Sequence, residues 1–372
     1  MSGTSIRSTA LEPGPGTPRA QRIFTVYGLV FLLLILVGLF SILQPDTFPT
    51  WLNFRLTAGG KSVQILVALA VTVPMIAGKI DLSVGYALGL WQVLSLTFQV
   101  RYGMPWWVAC LLVLVCGAVV GLVNALLVEL AQVDAFIATL ATGQVLFGIT
   151  LWHTKGQQVV DKASERGEFF DKLGTWSIGG ANGIPGPFVM AVLIGVLMYF
   201  MTEYLPLGRY FYAVGANPRS AELSGIPRRK YVVGAFVASG VIIALGGIIL
   251  ESRLGGVAQA NIGPEYLFPA LVAAFLGSTT IRPGRVNALG TLVGIAIATV
   301  GLSGLLQQFP GKDYFLGPLF NGLTLIAAIT IASTAGRRRL NASERHAARR
   351  TDVPATPDNP DLHPERIDND EK

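Results

Sequence analysis

Residues 24–43 read "FTVYGLVFLLLILVGLFSIL", twenty positions without a charged side chain. As a helix, such a run covers about 30 Å, the depth of a bilayer's hydrocarbon layer. It shows neither strand alternation nor an amphipathic stripe. It is too long for the core of a signal peptide, and no small-residue cleavage site follows in "QPDTFPTW". A retained first span is therefore expected.

Comparable runs recur at about 62–77, 84–99, 106–128, 136–152, 187–204, 231–251, 266–278, 286–306 and 315–334. The second, third and eighth are short and broken by glycine, as irregular backbone inside a membrane protein requires. Only 13% of the 372 residues are charged, whereas a soluble chain carries roughly twice that share. The expected fold is an all-α polytopic membrane protein of about ten transmembrane helices. The 43 glycines suit helices packed closely in lipid. The net charge of +6 does not indicate nucleic-acid binding, because the bases sit in particular loops. Cys110 and Cys116, six apart in one apolar run, do not share a helix face and read as structural thiols.

Flanking segments fill in the organisation. Residues 1–23 are polar, rich in Pro and Gly, and expected to be a disordered cytoplasmic N-terminus; 24–335 form the transmembrane domain. Residues 336–372 are charged and proline-rich and expected to be a disordered cytoplasmic tail. With both termini inside, nineteen of the 28 lysines and arginines fall on the cytoplasmic side. That balance supports the orientation, resting on the N-terminal arginines and "GRRR" at 336–339.

Two stretches break the apolar pattern. "AGKIDLSVG" (77–85) places Gly78, Lys79, Asp81, Ser83 and Gly85 between two spans. A charge near the bilayer interior needs either a function or a backbone role. Asp81 and Ser83 can accept the free N–H groups of a helix start, while Gly78 and Gly85 permit a tight break and close packing. Lys79 is placed to neutralise Asp81 or to reach the interface. Substrate contact and a proton relay are the competing readings, and a relay would call for further buried acids or histidines. None is expected within the spans: Glu251 falls at a span end, and His153, His346 and His363 fall in loops or the tail.

The second stretch, "LGRYFYAVGANPRSAELSGIPRRK" (207–230), is a compact basic loop. Asn217 is suited to cap a helix, Pro218 to be its first residue, and Gly225 to end it in a left-handed conformation. Ser220, Ala221, Glu222 and Leu223 lie between. A helix of about two turns is marginal alone and needs a docking surface; an ordinary capped connector is the alternative.

These two stretches, with "DAFIATLATGQVLFGI" (134–149), resemble the permease subunits of bacterial ABC importers, most closely the ribose, xylose and galactose branch. The resemblance covers roughly residues 50–335. It implies a subunit of about ten helices in the bacterial inner membrane, paired with a second permease copy or a paralogue. It further implies two cytoplasmic ATP-binding subunits and a periplasmic or lipid-anchored sugar-binding protein. In that family the loop helix is the coupling helix, here formed by Asn217, Pro218, Arg219, Ser220, Glu222, Leu223, Ser224 and Gly225. Lys79 departs from the family's usual glycine. The implied function is import of a monosaccharide or related polyol by alternating access, with no cofactor on this chain and ATP bound by the partner subunits. Branched-chain amino-acid permeases share the fold and give the rival substrate class; an ion-coupled secondary transporter is the rival of another kind.

Polar residues within the spans are candidates to line a substrate path: Gln64, Trp91, Gln92, Asn124, Gln144 and Asn321. Amides and aromatic faces suit sugar rings, although intramembrane Asn and Gln more often join helices. "GGKS" (59–62) is not a P-loop, because Arg55 occupies the first glycine position. No Cys/His cluster suits a metal, and no serine has a histidine base, so an enzyme is not expected.

Overall fold

The computed structural model describes residues 19–161 and 166–351. Ten long helices occupy the ten expected positions: α1 (Arg19–Leu43), α2 (Trp51–Ile76), α3 (Ser83–Val100), α4 (Trp106–Glu129), α5 (Ala135–Thr154), α7 (Gly186–Glu203), α10 (Arg228–Leu254), α11 (Gly263–Gly277), α12 (Ala288–Gln308) and α13 (Asp313–Thr351). Short helices α6 (Glu168–Thr175), α8 (Pro206–Ala216) and α9 (Pro218–Leu223) fill two connections. Two-residue strands make two antiparallel pairings. β1 (Val159–Val160) joins β4 (Val257–Ala258), and β2 (Ser177–Ile178) joins β3 (Ile184–Pro185). Among the described residues, eight helices are long and apolar enough to cross a membrane, which makes this a multi-pass membrane protein. Of the ten long helices, α3 and α11 fall short of that measure.

The order of layers follows from which faces the sequence leaves apolar. Val63 and Leu66–Val71 of α2 have no exposure, nor do Leu88 of α3, Ala244 of α10 or Ala270 of α11. These four helices form the centre, and the other long helices surround it. Around them, α1 turns Leu34, Ile35 and Ile42 outward. Apolar residues on the outside and in the middle alike are what a bilayer solvent selects.

Several boundaries differ from expectation. α2 starts eleven residues before 62, because the Thr50 hydroxyl accepts the Asn53 N–H at 3.2 Å and caps it. Arg55 and Lys61 therefore lie on a helix, and so does "GGKS", whose amides serve the helix ladder. The loop at 153–186 holds α6 and three strands. His153, expected in a loop, is inside α5, 3.2 Å from the Thr97 hydroxyl.

Helix α1 already includes Arg19–Ile23, and α13 continues to Thr351, past the expected end at 335. That stretch contains Ala, Arg, Leu and Glu and, after Gly336, neither Gly nor Pro, so propensity favours continuation. The remainder of both tails, 1–18 and 352–372, lies outside the described residues.

Candidate functional site

Gly78 takes φ +76° and ends α2 in the left-handed region, where a Cβ is disfavoured. Four residues separate it from the start of α3 at Ser83. Asp81 is 2% exposed, and its Oδ1 accepts the Ser83 N–H at 3.0 Å and the Ser83 hydroxyl at 2.6 Å. Its Oδ2 accepts the Ser239 hydroxyl of α10 at 3.2 Å. Asn124 of α4 donates to the Ser83 hydroxyl at 2.8 Å. The Thr139 hydroxyl of α5 accepts the Leu82 N–H at 3.0 Å. Asp81 thus accepts one N–H at the start of α3 and ties it to α10, while the Ser83 hydroxyl, expected to accept a helix N–H, instead donates to Asp81 and accepts from Asn124. Among the described residues no ion pair joins Lys79 to Asp81, so hydroxyl and amide donors hold the carboxylate. Gly85 allows close approach: a Cβ there would come within 2.9 Å of the Gly263 carbonyl of α11.

The loop helix α9 has the ends its sequence calls for. Asn217 Oδ1 accepts the Ser220 N–H at 3.0 Å. At the other end Gly225, at φ +79°, donates to Glu222 O at 2.9 Å, and Ile226 donates to Ala221 O at 3.0 Å. These paired bonds are a Schellman closure, and Ile226 packs against the apolar cluster that includes the buried Ala221. Leu223 points away from this anchor and is 78% exposed.

The two sequence stretches meet in space. Gly215, near the end of α8, lies against the Ile76 carbonyl, and Gly78 lies against Gly215. Helix α8 therefore seats on the α2–α3 break, and α9 projects beside it. Two ionic braces surround this end of the bundle. Arg228 contacts Glu129 and Glu222 at 3.0 and 3.1 Å, and Arg282 contacts Glu203 at 3.0 Å. The Tyr212 hydroxyl donates to Val286 O at 3.0 Å, with the Arg285 guanidinium 3.5 Å over its ring. Burial, with Glu203 nearby, pushes the Tyr212 phenol up to about 12, so it remains a donor.

The family described as "Branched-chain amino acid transport system / permease component" matches residues 59–332. The chain belongs to this permease family. It is similar to the ribose import permease protein of Haemophilus influenzae, 32% identical over 309 residues covering 83% of this chain and 93% of that protein. The D-allose transport system permease protein of Escherichia coli is 30% identical over 331 residues, covering 88% and 97%. The galactose/methyl galactoside import permease protein of Haemophilus influenzae is 29% identical over 320 residues, covering 82% and 92%. No solved structure matches.

The permease does not gather the six candidate path residues into one place. Gln64 and Asn321 line one small cavity with Lys61 and Thr299, of about 10 Å³, room for about one water. Trp91 and Gln92 are buried against α10, and Gln92 donates to Val257 O at 3.3 Å. Asn124 belongs to the Asp81 network, and Gln144 donates to the Tyr86 hydroxyl at 3.1 Å. Asn124 and Gln92 act as joints between elements.

The permease also buries acids that the sequence reading did not expect. Glu251 lies inside α10 with no exposure, and Glu129 is 1% exposed at the end of α4. A carboxylate closing an apolar helix was the signal for Glu129, since that end already carries the negative pole. Its partner Arg228 is 99 positions away, beyond any local pattern.

Proposed function

We propose that this permease is the membrane-spanning subunit of an ATP-driven ABC importer that brings a monosaccharide or related polyol into the cytoplasm by alternating access. The observation that carries the reading is α9: a six-residue helix held at both ends, anchored through Ala221, and presenting an exposed leucine. A helix that short persists only when docked. An exposed leucine beside Glu222 and Arg219 has the form of an apolar anchor with a polar rim. Cytoplasmic ATP-binding subunits are the proposed partners of this surface, and they bind and hydrolyse ATP, so the permease itself catalyses nothing.

In this reading the permease lies in the bacterial inner membrane with both termini and the α9 end in the cytoplasm. A second permease copy or a paralogue completes the pathway. A periplasmic or lipid-anchored sugar-binding protein delivers substrate to the end that carries α6. The Asp81 network holds the α2–α3 break rigid beneath α8, so displacement of α9 reaches the bundle instead of being absorbed by a loop.

The sugar class is supported by the printed names of the relatives, for ribose, D-allose and galactose, each covering more than four-fifths of the chain. The family's description mentions branched-chain amino acids, and that substrate class is the one to test against. Vesicles carrying the assembled importer should take up labelled ribose, allose or galactose on addition of ATP, with no competition from leucine. Competition by leucine and none by any of the sugars would replace the substrate class.

A further inference from the structure

Helix α4 ends on Glu129 and helix α10 begins on Arg228. Each charge has the wrong sign for its position, because a helix C-terminus carries the negative pole of the dipole and an N-terminus the positive pole. Joined, the two offset each other. Arg228 Nη2 lies 3.0 Å from Glu129 Oε2, and the Glu129 side chain is 2% exposed. The same guanidinium reaches a third element, its Nε 3.1 Å from Glu222 Oε1 on α9. Both are charge contacts without hydrogen-bond geometry, and a guanidinium spreads its charge over a plane wide enough to face two carboxylates at once.

Behind this bridge α10 packs closely on α4. Gly117 and Gly121 of α4 face Gly240, Ala244 and the Phe236 carbonyl of α10 so closely that a Cβ at either glycine would overlap them. At its far end α10 is fastened again: the Ser252 hydroxyl donates to the Phe170 carbonyl of α6, and β4, just after α10, pairs with β1. One continuous helix of 27 residues thus joins the α9 end of the bundle to the α6 end.

We propose that Arg228 is the positioning residue that passes a displacement of α9 to the interlocked α4–α10 pair, and through it to the opposite end of the permease. The inference rests on the reading of α9 as the contact with the ATP-binding subunits. Glu222 is the exposed arm of the bridge and Glu129 the buried one. A shift of α9 pulls a guanidinium that Glu129 will not release, since a lone carboxylate left buried there is costly.

The experiment measures sugar moved per ATP hydrolysed, in vesicles containing permease, ATP-binding subunits and sugar-binding protein. That ratio is independent of how much complex assembles, so a merely structural defect lowers both numbers together and leaves it unchanged. Arg228→Lys keeps a cation beside Glu129 but cannot hold both carboxylates. Glu222→Ala removes the exposed arm, and with it one rim residue whose loss lowers assembly and not the ratio, and keeps the test decisive should the lysine variant accumulate poorly. Each should lower the ratio about tenfold, within the usual range of coupling factors. The double variant should fall no further than either alone, because both break one bridge. A ratio unchanged in Glu222→Ala overturns the proposal, as does a double variant whose loss is the product of the two single losses. Wild-type vesicles that take up no sugar on addition of ATP would instead remove the importer reading, and this proposal with it.

Discussion

At the scale of single residues, Asp81 shows how a charge is kept inside an apolar bundle. Three donors converge on it, the Ser83 N–H and the hydroxyls of Ser83 and Ser239. An asparagine would still accept from Ser83, and the Ser239 hydroxyl would turn to accept from the new amide. Asp81→Asn should therefore retain most folded protein and most uptake. Asp81→Leu leaves those donors unpaired at about 1–3 kcal/mol each and should sharply reduce monodisperse permease extracted from membranes. A leucine variant that extracts normally yet fails only in uptake would favour direct substrate contact. Gly225 makes the complementary case. A side chain there meets open space, so Gly225→Val acts only through its φ of +79°, a strain of about 1–2 kcal/mol. It should loosen α9 and lower uptake without lowering yield.

At the scale of elements, the α4–α10 crossing is where substitution should be least tolerated. Gly121→Val pushes a side chain into the Phe236 carbonyl. It should cost more than the roughly 1–3 kcal/mol usual for overpacking, because backbone cannot move aside as a side chain can. Gly28→Val in α1, where a Cβ meets nothing, is the matched control. Loss of folded protein in the first variant and not the second, read by thermal stability in detergent, is the expected result; equal stability would contradict the crossing. The ten long helices were legible because an apolar run is a local signal, and α9 because its ends, Asn217 and Gly225, are equally local. The start of α2 was not, because Arg55 and Lys61 resemble loop residues until their surroundings are known. Arg55 donates to Asn182 Oδ1 at 2.8 Å, more than a hundred positions away. The scatter of the six path candidates was hidden for the same reason: an amide joining two helices and an amide facing a cavity look alike before the helices are paired.

At the scale of the whole molecule, orientation and energy source are each open to a direct test. A reporter fused after Arg339 should be cytoplasmic and one inserted near Gly180, beside β2, periplasmic; both on one side would contradict the topology. In the proposed function, motion enters through α9 from a separate ATP-hydrolysing subunit. Leu223, 78% exposed, is the proposed anchor, and removing such an anchor costs about 2 kcal/mol, roughly thirtyfold in affinity. The most direct measurement is sugar uptake into vesicles with and without the ATP-binding subunits, for wild type and Leu223→Asp. Uptake should require both ATP and those subunits, and Leu223→Asp should abolish it together with substrate-stimulated ATP hydrolysis. Uptake that persists without any ATP-binding subunit and collapses only when an ion gradient is dissipated would contradict it.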